Sequence, residues 1–114
     1  MHNVLWYVFL GSRGGDTRMR IIDTVLKHPM NANQLKEALT LDYSTIRHSL
    51  RVLEKNRLLM AEDGKYGVRY KPTIEFENVR QEYDLLVSCF HHEKNCTRGK
   101  WEKILKQQQE TKRT

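Results

Sequence analysis

Cysteine and proline occur only twice each in this chain of 114 residues. Two cysteines, Cys89 and Cys96, are too few for the disulfide framework of a small secreted scaffold. Long apolar runs are missing as well. The longest, Val4 to Leu10, has seven residues, well short of the roughly 20 that a membrane span requires. It has no basic leader and no small-residue cleavage site, so it does not read as a signal peptide. These absences point to a soluble, cytoplasmic protein with no membrane partner. Catalytic patterns are absent too. There is no Gly-x-Ser-x-Gly and no His-Glu-x-x-His, and Gly11-Ser12-Arg13-Gly14-Gly15 lacks the Gly-Lys-Ser/Thr of a phosphate-cradling loop. The chain reads as a non-enzyme that needs no cofactor.

What is present in excess is positive charge. The formal net charge is +6, and a basic small domain favours polyanions. The charge is unevenly spread. Residues 1–41 sum to +2, residues 42–71 to +3, residues 75–93 to −4 and residues 94–114 to +5. An acidic block divides two basic ones, as expected for a DNA-facing segment, a segment turned away from DNA, and a basic tail.

Helical periodicity dominates the first half. Val4–Leu10 is apolar on every side and suits either a buried strand or a short helix packed between subunits. After the glycine-rich loop, Asp16 or Thr17 is placed to cap a helix whose inner stripe is Met19, Ile21, Ile22, Val25 and Leu26. His28-Pro29 ends it. Asn31 and Gln34 have capping-box spacing for a second helix with Leu35, Ala38 and Leu39 inside. Thr40-Leu41 is the turn, and Asp42 caps a third helix reaching about Asn56. Leu58-Leu59-Met60, an Asp63-Gly64 turn signal and Tyr66–Tyr70 read as a hairpin closed by Pro72. One long helix is expected from Glu75 to about Glu93, a break at Thr97-Arg98-Gly99, and a short amphipathic segment around Trp101, Ile104 and Leu105. This order is mainly α with a small β-hairpin, and it describes a winged helix-turn-helix with terminal dimerisation helices. Residues 1–93 form the domain, with an apolar segment at one end and a heptad helix at the other. Residues 94–114 form a basic tail.

The third helix carries the most chemistry. Ile46, Leu50 and Leu53 are spaced to face the core, leaving Ser44, Thr45, Arg47, His48 and Arg51 outward. Arg can pair with guanine O6 and N7, and Ser, Thr and His can reach base edges or phosphates. The helix N-terminus would offer N–H groups to phosphate. Lys65, Tyr66, Arg69 and Lys71 surround the hairpin tip, where cations can lie along a DNA backbone. Arg13 and Arg18 flank the start of the first capped helix and are weaker phosphate candidates. Phe76, Val79, Tyr83, Leu86 and Phe90 follow a 3, 4, 3, 4 spacing, a heptad seam. Such a seam can pack on its own domain or on a second copy. Because three other helices already supply a core, an intersubunit interface is expected, joined by Leu5, Trp6 and Phe9. Cys89, His92 and Cys96 would share one face of a continuing helix and are candidate metal ligands or a thiol redox pair. Free buried cysteine is common and usually inert, and that plainer reading is preferred.

The stretch from Asn31-Ala32-Asn33-Gln34-Leu35 through Leu41-Asp42-Tyr43-Ser44-Thr45-Ile46-Arg47-His48-Ser49-Leu50-Arg51-Val52-Leu53-Glu54 resembles the arsenic-repressor-like (ArsR-type) winged-helix regulators, especially short archaeal ones. Leu5-Trp6 and the loop Gly11–Gly15 are similar too. The resemblance implies a homodimer built from terminal helices, so that Val4–Leu10 is helical, with the third helix in the major groove of double-stranded DNA. Many relatives sense metals through Cys on that third helix, where this chain has none. The resulting expectation is a DNA-binding transcriptional regulator. The alternatives are a winged-helix protein-interaction module and a metal- or thiol-responsive DNA-binding sensor.

Overall fold

A computed structural model of the chain describes residues 1–65, 67–92 and 95–112, with side chains as far as residue 109. Helix α1 (His2–Phe9) is the apolar N-terminal run, so the helical alternative holds there. Leu5, Val8 and Phe9 form its buried side.

Helix α2 (Gly15–Lys27) starts earlier than the Asp16 or Thr17 cap expected for it. Its N-cap is Gly14, in the left-handed region at φ 88°, with no side-chain cap. A close approach explains the second glycine. A Cβ on Gly15 would lie 2.0 Å from the Phe9 carbonyl oxygen, so only glycine lets α2 begin directly against the end of α1. Arg18 locks the same corner. It is only 2 % exposed, and its guanidinium donates to the Val8 carbonyl (2.7 Å), the Ser12 hydroxyl (2.7 Å) and the Arg13 carbonyl (3.0 Å). These acceptors include a carbonyl at the C-terminus of α1, where a cation also meets the negative end of the helix dipole. Burial lowers the Arg18 pKa. Arg18 is therefore a structural residue and not a phosphate contact.

Helix α3 (Ala32–Leu39) opens with the full capping box. The Gln34 amide donates to the Asn31 side chain (2.8 Å), and the Asn31 amide donates to the Gln34 side chain (2.9 Å). Ala32 and Leu35 face inward, whereas Ala38, expected inside, is exposed. Thr40 takes a left-handed conformation (φ 55°), and the Leu41 amide closes onto the Lys36 carbonyl, which makes the tight turn into α4 (Tyr43–Lys55).

Strands β1 (Leu59–Gly64) and β2 (Gly67–Pro72) pair antiparallel from Leu59↔Pro72 to Gly64↔Gly67. Asp63 and Gly64 thus lie inside the ladder, and the reversal falls beyond them. A third element joins the sheet that no periodicity could announce. Met30 forms a single bridge to Tyr70, whose amide donates to the Met30 carbonyl (2.8 Å).

The expected long helix from Glu75 to Glu93 is two helices, α5 (Ile74–Asn78) and α6 (Arg80–His92), broken at Val79 (φ −114°, ψ 19°). Each half has its own anchor. Thr73 caps α5 and donates to the Arg57 carbonyl (2.6 Å), tying it to the turn between α4 and β1. Tyr83 on α6 donates to the Asp23 carboxylate on α2 (2.8 Å), and burial with the Asp23 charge beside it pushes the phenol pKa strongly up. The turn between the two anchored halves falls at a β-branched residue, Val79.

Helix α7 (Arg98–Lys112) occupies most of the expected tail. Thr97 is its N-terminal anchor rather than part of a break, receiving the Lys100 amide on its hydroxyl (3.2 Å). Trp101 is fully buried, with its ring at 6.2 Å from that of Trp6 and its indole N–H on the Glu82 carbonyl (3.2 Å). Leu105 is buried beside it. The terminal helix is thus part of the core shared with α1 and α6. Among the described residues, no helix is long and apolar enough to cross a membrane.

Candidate nucleic-acid interface

Helix α4 is positioned by its N-terminal cap and by its buried face. Asp42 caps it, accepting from the Thr45 amide (3.3 Å) and the Ser44 hydroxyl (3.0 Å). Hydrogen bonds from Thr45 and Ser44 hold the Asp42 carboxyl below the usual carboxylate range. The cap takes up the Thr45 amide, one of the N–H groups that the sequence offers to phosphate, and sets a carboxylate beside the others. Ile46, Leu50 and Leu53 are fully buried, as their spacing predicts.

On the opposite side, Ser44, His48 and Arg51 are exposed and Thr45 is half-buried. Tyr43, which the sequence reading passed over, is 47 % exposed at the start of the helix. Ser49 is buried. Arg47 differs from its neighbours. It is half-buried and donates from Nη1 to the hydroxyl of Tyr70 in β2 (2.8 Å). The two residues open into a surface depression that Asn31, Asn33, Tyr43 and Val68 also line.

The wing is less cationic in effect than its composition. Glu62 of β1 accepts from Arg69 Nε (2.9 Å) and Nη2 (2.8 Å) and pairs with Lys71 (2.6 Å). Lys71 and Arg69 together hold the Glu62 carboxyl below its ordinary range. Arg69 and Lys71 remain on the surface, but one carboxylate offsets part of their charge. Lys65 lies exposed at the hairpin. Tyr66 lies outside the described residues.

The residues expected at a subunit interface are placed differently. Leu5, Phe9, Phe76, Tyr83 and Leu86 are at most 1 % exposed within this single protomer. The heptad seam is covered from inside the chain. The Phe9 ring packs edge-on to Tyr83 at 4.9 Å, Phe76 does so at 5.2 Å, and Trp101 of α7 closes over α1. These five are core residues here and not a surface open to a second copy. Trp6 and Val79 are half-buried against the core, and only Phe90 of the eight, at 39 %, is exposed. Tyr7, not foreseen in this role, is exposed by 57 % on α1.

Cys89 and Cys96 are bonded to each other, with Cα atoms 5.6 Å apart. Neither sulfur is available as a thiolate ligand, and His92 is exposed. Among the described residues, no three His, Cys, Asp or Glu side chains come together in a way that would hold a metal ion. The metal candidates do not form a site.

Residues 15–60, from the first residue of α2 into β1, match the model of the family described as bacterial regulatory protein, arsR family. No curated protein matches the chain. Among solved structures, a mutant of Lactococcus lactis ZitR superposes with a TM-score of 0.54 over 86% of this chain and 73% of that one, at 16% sequence identity. That likeness shows the fold. The chain is therefore a winged helix-turn-helix protein whose helix-turn-helix segment matches the arsR family of regulatory proteins.

Proposed function

We propose that this chain is a homodimeric transcriptional regulator that reads double-stranded DNA with α4 in the major groove and the β1–β2 wing on the backbone. The observation that carries the reading is the two-sidedness of α4. Its apolar residues are wholly buried, and Ser44, His48 and Arg51 stand exposed on a helix that ends a tight helix-turn-helix. The match of residues 15–60 to the arsR family supports it. The exposed aromatics Tyr7 on α1 and Phe90 on α6 support pairing of two copies. A C2 dimer would set its two α4 helices about 34 Å apart, one turn of duplex.

The test is fluorescence anisotropy with genomic duplex fragments at two salt concentrations, alongside sedimentation of the protein alone. Arg51→Ala is expected to weaken the selected fragment by about 1–3 kcal/mol if that side chain meets a guanine. No binding to any fragment at low salt rules the reading out, and a monomer at micromolar concentration rules out the dimer. The bond between Cys89 and Cys96 favours one second reading, a thiol-responsive regulator. It requires duplex affinity to differ between oxidised protein and protein reduced by excess dithiol.

A further inference from the structure

We propose that Tyr70 is a positioning residue that aims Arg47 at the duplex; the inference rests on the DNA-binding reading above and deepens it.

Tyr70 is held as a fixed acceptor. Its ring is only 4 % exposed, its backbone is opposite Ala61 in the hairpin ladder, and its amide is tied to the Met30 carbonyl at 2.8 Å. Three elements therefore determine where its hydroxyl lies, and that hydroxyl accepts from Arg47 Nη1 at 2.8 Å. The partner's chemistry matters as much as its place. Arg69 and Lys71 are paired with Glu62, Arg80 with Asp84 and Arg98 with Glu102. Among the described residues, no carboxylate lies within ion-pair distance of Arg47. A neutral phenol orients the guanidinium and leaves its charge intact. It also occupies one of five N–H donors, so four remain for the ligand.

A long arginine side chain loses rotamer freedom when it docks. If Tyr70 has already restricted it, less is lost on binding. Immobilising one such side chain costs enough to change a dissociation constant about 2- to 12-fold. Tyr70→Phe removes the hydroxyl and keeps the ring.

The experiment compares wild type, Tyr70→Phe, Arg47→Ala and the double variant. The probe is a fluorescein-labelled 30-base-pair genomic duplex selected with the wild-type chain. Thermal melts are recorded beside the binding curves. Tyr70→Phe is expected to weaken binding about 2- to 12-fold, and to change nothing further in the Arg47→Ala background. A loss merely from loosened structure would persist in that background, and this result overturns the proposal. So does unchanged binding by Tyr70→Phe when wild type binds. If Tyr70→Phe fails to fold, nitrogen NMR of the wild-type Arg47 guanidinium decides. Separate, slowly exchanging Nη signals support the proposal and fast averaging overturns it. If wild type binds no duplex, the DNA reading falls and the proposal with it.

Discussion

Replacing Trp101 by alanine tests whether the C-terminal helix belongs to the folded core. Trp101 is fully buried, its ring lies against Trp6 and His2, and its indole N–H bonds the Glu82 carbonyl. Truncating a buried Trp in a packed core costs about 3–5 kcal/mol, because the cavity left behind collapses only partly. Unfolding entropy of about 2.1 cal/mol/K per residue amounts to about 0.24 kcal/mol/K for a chain of this length. A loss near 4 kcal/mol then lowers Tm by about 17 °C. The assay is thermal unfolding followed by far-UV circular dichroism and, separately, by fluorescence of Trp6, which sits on the same contact. Both probes are expected to move together, since α1, α6 and α7 share one cluster. A Tm within about 3 °C of wild type would refute the reasoning. It would mean that α7 is undocked in solution.

Four further outcomes follow from the geometry. Gly15→Ala would gain up to about 1 kcal/mol of helix propensity. It is nevertheless expected to destabilise by about 1–3 kcal/mol in a urea titration, because its Cβ meets the Phe9 carbonyl at 2.0 Å. Glu62→Gln leaves Arg69 and Lys71 without their shared carboxylate. Binding to random-sequence duplex should tighten, and the salt slope should steepen by up to about 0.9 for each phosphate newly contacted. The Glu62 carboxyl is held low by Lys71 and Arg69. Its stabilising pairs are therefore fully present above the unfolded carboxylate pKa and are lost only as pH falls through the lowered folded value. Wing behaviour should accordingly not vary between pH 6 and 8 on its account, a range about two units above ordinary carboxylate values. Finally, Cys89 and Cys96 are seven residues apart. Closing a loop of that length stabilises by about 2.5 kcal/mol on the chain-entropy account. Excess dithiol should lower Tm in the wild type and leave Cys89→Ser unmoved.

Local signals explain why the centre of the molecule was legible in the sequence. Asn31 with Gln34, and Asp42 before a helix, announce caps that the structure contains atom for atom. Ile46, Leu50 and Leu53 announce the buried side of α4. Each depends on residues within one or two turns of one another. What was not legible depends on partners far along the chain. The seam Phe76, Val79, Tyr83, Leu86, Phe90 identifies an apolar face but not what covers it. Here α1 and α2 of the same chain meet Tyr83 at its centre, and the break at Val79 lies between the anchors to Arg57 and Asp23. Trp101, Ile104 and Leu105 were visible as an amphipathic set. Their docking was not, because it depends on contacts with Trp6 and Glu82.

The candidate site shows the same division in its charges. Composition counts every cation alike, and a net charge of +6 points to a polyanion without locating the surface. The folded chain sorts those cations by partner. Arg18 is buried on backbone carbonyls at the end of α1. Arg69 and Lys71 converge on Glu62, and Arg80 and Arg98 each have a carboxylate one helical turn away. Arg47 and Arg51 on α4 have none within ion-pair distance among the described residues, and Arg47 alone is oriented by a neutral hydroxyl. Charge left without a carboxylate is what a phosphate or a base edge can use, since a paired cation must first give up its carboxylate. Arg47 and Arg51 thus add free charge to the two-sided α4, and the orientation of Arg47 depends on residues 23 positions apart meeting in the fold.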